Sequence, residues 1–178
     1  MKKVLLIGRS EAGKTTLAQR LLGEEPRYHK TQAVTLVGPI IDTPGEYCQR
    51  AEYAKALALY AYEADVVALV VSADEPFMLF SPGITSLVNR EVVGVVTGVD
   101  KPGARPDLCD SWLRLCGCRR LFHMDALHGE GVGELLDYLG ADGSPARPPD
   151  ETKIRRSPAE PIKTAKKTPK KVPKQTEK

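Results

Sequence analysis

Aromatic side chains are scarce in this chain: of its 178 residues 3 are Phe, 6 Tyr and 1 Trp, and none follows Tyr138. A C-terminal segment without aromatics has nothing on which bases could stack, which argues against nucleic acid as a partner. Histidine is rarer still, with 3 residues, His29, His123 and His128. Their spacing suggests neither a metal site nor a catalytic dyad. The four cysteines are Cys48, Cys109, Cys116 and Cys118. The Cys116-x-Cys118 pair is one residue short of the usual zinc spacing and has no matching second pair. With no export signal in the sequence, all four are expected as reduced, ordinary small residues. Long apolar runs are absent as well, and none approaches the roughly 20 residues of a membrane span. After Met1 and two lysines, only Val4-Leu5-Leu6-Ile7 precedes Gly8-Arg9, so the start reads as a first strand and not as a signal peptide.

What the chain does carry is concentrated at residues 8–15, Gly-Arg-Ser-Glu-Ala-Gly-Lys-Thr. Four defined positions at fixed spacing, after an apolar strand and before a helical pattern, make a phosphate-binding loop. Its backbone N–H groups turn inward at a helix N-terminus and form an anion site. Gly8, Arg9, Ser10, Glu11, Ala12, Gly13, Lys14, Thr15 and Thr16 are therefore the expected nucleotide-binding stretch. Lys14 is expected to reach the β- and γ-phosphates as a catalytic charge, and the Thr15 hydroxyl to ligate Mg²⁺.

Apolar runs alternate with helical patterns along the rest of the chain. Strands are expected at 3–8, 34–37, 39–42, 65–72, 92–97 and 120–124, and helices at 14–23, 49–62, 83–89, 106–117 and 131–140. Continuously apolar stretches such as Val66-Val67-Ala68-Leu69-Val70-Val71 suit strands buried on both faces. The pattern specifies an α/β fold, a three-layer, doubly wound, mostly parallel sheet of the P-loop NTPase class, with ligands at the carboxyl ends of the strands. Trp112, in helix 106–117, is expected in the core.

The periodicity stops after Gly140. Residues 144–178 hold 11 Lys and Arg against 4 Asp and Glu, and 7 of the 14 prolines. The remainder is slightly acidic, with 15 basic against 19 acidic residues. Residues 1–143 are thus expected to form the nucleotide-binding domain and 144–178 a disordered basic extension, too poor in apolar surface to offset its ordering entropy. Its lysine pairs suit either simple solubilisation or electrostatic docking to an acidic protein surface.

Further residues complete the expected site. Asp42-Thr43-Pro44-Gly45 follows a strand, so Asp42 can hold Mg²⁺ through a water, and the Gly45 N–H can face a γ-phosphate and sense its presence. Glu46 either orients an attacking water or points to solvent. In the loop before Asp42, Thr31 is best placed to close on Mg²⁺ and γ-phosphate, and Lys30 to neutralise developing charge. At Val95-Val96-Thr97-Gly98-Val99-Asp100, Thr97 and Asp100 stand where a base is read. Asp100 can accept from both N1–H and the exocyclic amine of guanine. The lysine usual in Asn/Thr-Lys-x-Asp is replaced by Gly98, which loosens the preference between GTP and ATP. The N–H of Ala126, in Met124-Asp125-Ala126-Leu127, stands where a donor to guanine O6 is needed.

Taken together, Gly8–Thr15, Lys30-Thr31-Gln32-Ala33, Asp42-Thr43-Pro44-Gly45-Glu46-Tyr47 and Val95-Val96-Thr97-x-x-Asp100 resemble the EutP/PduV family of ethanolamine and propanediol utilisation. The resemblance covers about residues 1–140. It implies a Ras-like P-loop protein of the bacterial cytosol, associated with a microcompartment and with its shell or enzyme proteins as partners. Either a GTPase-type switch or, in the ethanolamine branch, acetate kinase activity is implied. The chain departs from the family pattern at Gly98, where Lys is usual, and at Asp125, where Ser is usual. A third reading leaves the nucleotide structural and assigns the work to the basic tail as a tether.

Overall fold

The structure, a computed structural model, describes residues 1–27, 32–45 and 60–140. Six strands form one sheet: β1 (Val4–Gly8), β2 (Thr35–Val37), β3 (Ile40–Asp42), β4 (Val66–Ser72), β5 (Glu91–Thr97) and β6 (Arg120–Met124). Their spatial order is β2-β3-β1-β4-β5-β6. The β2–β3 pair is antiparallel, and the pairs β3–β1, β1–β4, β4–β5 and β5–β6 are parallel. Three α-helices lie wholly within the described residues: α1 (Lys14–Leu21), α2 (Pro106–Cys116) and α3 (Val132–Tyr138).

The sheet is covered on both faces, and the alternation of side chains along its strands assigns each residue to a layer. Val4 and Leu6 of β1, Val66, Ala68 and Val70 of β4, and Val93 and Val95 of β5 pack against Leu17 and Leu21 of α1 and Leu135 of α3. The residues between them, Leu5, Ile7, Val67, Leu69, Val71 and Val96, pack on the other face with Cys109, Leu113 and Cys116 of α2. Gly94 makes the second contact close, because a Cβ there would stand 2.9 Å from Leu113 Cδ1 and 2.6 Å from Leu121 Cδ2. Trp112 is half-buried against this second cluster.

This is the three-layer, mostly parallel architecture that the sequence specifies, and most element boundaries agree within one or two residues. One expectation is corrected: the helix expected at 83–89 is a single 3₁₀ turn, Ile84–Leu87, with no buried residue. Without an apolar stripe to bury, its sequence cannot sustain a longer helix. Of the helix expected at 49–62, residues 60–63 are helical and the rest lies outside the described residues. So does the basic extension.

In this topology β1 is the first strand of both halves of the sheet, with β3 on one side and β4 on the other. The crevice at the carboxyl end of β1 is the switch point where open α/β sheets bind ligands. The loop 8–15 leaves the sheet there.

Candidate functional site

The phosphate loop begins in a tight place. A Cβ at Gly8 would lie 2.3 Å from the Val70 carbonyl oxygen, so only glycine lets β1 end flush against β4. The loop then turns through Gly13, whose φ of 79° places it in the left-handed region, and α1 starts at Lys14. Glu11 also has a positive φ, 67°, alone among the non-glycine described residues. Such a conformation costs a non-glycine residue on the order of 1 kcal/mol, a strain of the kind found at ligand-clamping loops. Lys14 is 5% exposed, and its Nζ donates to the Arg9 carbonyl at 2.8 Å, so the cation is folded into the loop it closes.

Thr15 and Asp42 meet as expected. Thr15 Oγ1 donates to Asp42 Oδ2 at 2.8 Å, joining the first turn of α1 to the end of β3. Two hard oxygen donors side by side at the mouth of an anion-binding loop fit Mg²⁺. Thr43 is fully buried and donates to the Leu6 carbonyl at 2.7 Å, which ties the next residues to β1. Gly45 then lies directly on the phosphate loop: a Cβ there would fall 1.9 Å from Ser10 N and 2.5 Å from the Arg9 carbonyl carbon. Thr16 is half-buried in the first turn of α1. Lys30, Thr31 and Glu46 lie outside the described residues.

Arg9 does not stand alone. Its Nη1 donates to Glu75 Oε1 at 2.5 Å, and its guanidinium lies 5.3 Å from the centre of the Phe77 ring. Glu75 is 6% exposed, and its backbone carbonyl accepts from Arg105 Nη2 at 3.0 Å. The loop after β4 thereby connects the phosphate loop to the approach to α2. Nothing in the local sequence around Glu75 signals this.

At the end of β5 the structure separates two residues that the sequence grouped as base-reading. Thr97 is 3% exposed and its Oγ1 donates to the Ala12 carbonyl at 2.8 Å. It braces the phosphate loop from behind and holds the turn at Gly13, whose Cβ position lies 3.3 Å from the same hydroxyl. Asp100 is exposed, beyond the end of β5.

Across from it, Asp125 is buried and shapes the loop that carries Ala126. Its Oδ1 accepts from the N–H groups of Leu127 at 2.9 Å and His128 at 3.1 Å, and Oδ2 pairs with His128 Nδ1. Burial would raise the Asp125 carboxyl, but hydrogen bonds from the His128 ring and from the two backbone N–H groups outweigh it and hold the carboxyl below its ordinary value. The Asp125 hydrogen bond and then its charge push His128 up. Ala126 is buried, and Arg20 of α1 clamps the loop by donating to the carbonyls of Ala126 at 3.2 Å and Leu127 at 2.6 Å. The reading of the histidines as scattered is corrected for one of them: the acceptor and donor atoms of Asp100, Asp125 and His128 lie within 4.8 Å of one another. Sequence separation hid this, because β5 and β6 are paired in register and end side by side.

The 390 Å³ cavity lined by Ala61, Tyr62 and residues 86–90 opens at the opposite, amino-terminal ends of β4 and β5 and is no part of this site. Among the described residues no helix is long and apolar enough to cross a membrane.

The chain is similar in sequence to several known proteins. A family model described as PduV-EutP, ethanolamine utilisation - propanediol utilisation, matches residues 1–141. The propanediol utilization protein PduV of Citrobacter freundii is 44% identical over 145 residues, which cover 81% of this chain and 97% of that protein. The probable acetate kinase EutP of Escherichia coli strain K12 is 30% identical over 144 residues, covering 79% of this chain and 91% of the relative. More distantly, the GTPase Der of Staphylococcus carnosus is 28% identical over 156 residues, 76% of this chain but only 35% of that longer protein.

Proposed function

The chain belongs to the PduV-EutP family of ethanolamine and propanediol utilisation, and from that premise we propose that it binds Mg²⁺ with a guanine nucleotide and acts as a GTPase-type switch. The observation that carries this reading is the Thr15–Asp42 hydrogen bond of 2.8 Å, formed beside a Lys14 folded into a glycine-bounded loop. Switch-type nucleotide sites need that conjunction, because phosphoryl transfer depends on positioning and on charge neutralisation more than on covalent chemistry. When bound, Mg²⁺ supplies that neutralisation at the phosphate oxygens. The chain's own residues do the rest. The loop N–H groups and Lys14 hold the phosphates, and Thr15 and Asp42 hold the metal. Gly45 is placed to register a γ-phosphate against the Ser10 backbone. Asp100 and the Ala126 N–H select guanine over adenine. By the sequence reading, Thr31 is the candidate further metal ligand and Glu46 the candidate for orienting water.

A second reading has a specific support: relatives at 30–32% identity are named probable acetate kinases. In that reading ADP accepts the phosphoryl group of acetyl phosphate at the same loop. One experiment separates the two. The full chain is titrated with fluorescent GDP and ADP, with and without Mg²⁺, and assayed for GTP hydrolysis and for acetyl phosphate-dependent ATP formation. Micromolar or tighter GDP binding with no acetyl phosphate turnover supports the switch. ATP formation that requires acetyl phosphate and vanishes in Lys14→Ala supports the kinase. Absence of any nucleotide binding refutes both.

We assign residues 144–178 a role outside nucleotide binding, since the family match ends at residue 141. Their net basic charge suits docking to acidic shell or enzyme proteins of a microcompartment. Removing them should leave GDP affinity within about twofold, a change under roughly 0.5 kcal/mol. A tenfold loss would show that the extension belongs to the site.

A further inference from the structure

Position 98 is where the chain lacks the side chain that such base-reading loops carry, and the space belonging to that side chain is filled from elsewhere. Gly98 has a φ of 61°, and a Cβ built on it would lie 2.8 Å from Lys101 Cε, 2.9 Å from Cδ and 3.3 Å from Cγ. The Lys101 N–H donates to the Gly98 carbonyl at 3.2 Å, closing a turn that sends the lysine back over the glycine. The far end of the side chain is anchored too. Lys101 Nζ donates to Ser72 Oγ at 2.9 Å and to both oxygens of Asp74, at 3.0 and 3.1 Å. The hydrogen bond from Ser72 and then the lysine hold the Asp74 carboxyl below its ordinary value against the opposing effect of burial. With its root in the turn and its head on β4 and the residue after next, the methylene stem is stretched across position 98. The side chain is 40% exposed, so one flank stays open.

We propose that the Lys101 stem is the apolar wall of the base site, a positioning residue that supplies from three residues downstream what Gly98 does not. The proposal rests on the guanine-nucleotide reading above and deepens it. A lysine stem offers several methylenes to a planar base while its charged head stays solvated or paired. Anchoring the head beforehand removes most of the rotamer freedom that a base would otherwise have to quench on binding. Asp100, next to Lys101 in the same turn, then meets the base edge while the stem meets its face. Gly98 is required by the same geometry, since any side chain there would have to occupy the stem's volume from a left-handed backbone.

The test measures fluorescent GDP affinity and dissociation rate for the full chain carrying Lys101→Ala, Lys101→Met, Gly98→Lys, or Gly98→Lys with Lys101→Gly. Lys101→Ala should weaken GDP about tenfold, and IDP by the same factor, as expected for loss of two or so buried methylenes. Lys101→Met keeps an unbranched stem without the charge and should stay within about threefold of the natural chain. Gly98→Lys alone puts two stems in one space and should weaken binding. The double exchange removes the overlap of the two stems but keeps the left-handed strain at position 98, so it should recover only part of that loss. The inference is overturned if Lys101→Ala binds GDP as the natural chain does, if Lys101→Met loses as much as the alanine variant, or if Gly98→Lys alone tightens binding. Failure of the natural chain itself to bind GDP would instead refute the guanine reading on which the inference rests.

Discussion

Replacing Thr97 by valine separates a brace for the phosphate loop from a contact to the base. The residue ends β5, is 3% exposed, and gives its hydroxyl hydrogen to the Ala12 carbonyl at 2.8 Å. Its other neighbouring acceptor, the Val71 carbonyl, is 3.5 Å away and is no substitute. Valine keeps nearly the same shape, so no cavity opens, and the loss is confined to one hydrogen bond in a dry setting beside an Ala12 that is 1% exposed. Such a loss lies between the net worth of a hydrogen bond and the penalty of stranding a buried carbonyl, about 1–2 kcal/mol. For a domain of this size that lowers the melting temperature by roughly 3–8 °C. Because Gly13 packs against the same hydroxyl, the loop's phosphate geometry loosens and GDP and ADP affinity fall together. Differential scanning fluorimetry beside nucleotide titration reads both effects. A Thr97→Val protein that melts within about 1 °C of the natural one, yet changes its guanine-to-adenine preference, would show that Thr97 contacts the base and that the brace is wrong.

Three further outcomes are expected. Gly45→Ala drives a methyl group into the Arg9–Ser10 backbone, with only 1.9 Å to Ser10 N. It should cost about 1–3 kcal/mol by urea unfolding, and an unchanged midpoint would refute the contact. His128 has its pKa raised above the ordinary 6.5 by Asp125, so folding favours its protonated form. The stabilisation is therefore fully present below about pH 6.5 and fades as pH rises through the raised folded value. Melting curves at pH 5.5 and 8.5 should differ more for the natural chain than for His128→Gln, and equal differences would refute the pairing. Burial pushes the thiols of Cys116 and Cys118 up to about 11 and about 12, so both should resist alkylation at pH 8 in the folded protein. Mass spectrometry showing both modified as fast as in the denatured chain would contradict their placement.

The phosphate loop, the strand order class and the nearness of Thr15 to Asp42 were legible in the sequence because each depends on contacts that local spacing dictates. Gly8, Gly13, Lys14 and Thr15 lie within one strand–turn–helix unit, whose backbone geometry is set by nearest neighbours and by glycine's freedom at positive φ. Asp42 was equally readable, since a strand end after a phosphate loop returns beside it in a parallel sheet. The unbroken apolar run Val4 through Ile7 likewise announced a buried strand. The 83–89 helix was misread because local propensity does not reveal whether an element has anything to bury.

The placement of Thr97 and Asp100 was decided only by tertiary structure. Thr97 and Asp100 are three residues apart, yet one is sealed behind the phosphate loop and the other is exposed. Their fates diverge because β5 ends between them, against Ala12. The ties of Arg9 to the Glu75 carboxylate and of Arg20 to the Leu127 carbonyl join distant segments that no spacing connects, and the three-residue spacing of Asp125 and His128 did not announce their pairing. The first two span 66 and 107 residues, and the third depends on a loop clamped from α1. Lys101 is the clearest case. By its position in the chain it is simply one lysine past Asp100, and only the turn at Gly98 together with Asp74 on the neighbouring strand connection lays its stem across the missing side chain. A sequence records which groups are available; the packing of parallel strand ends decides which of them share a site.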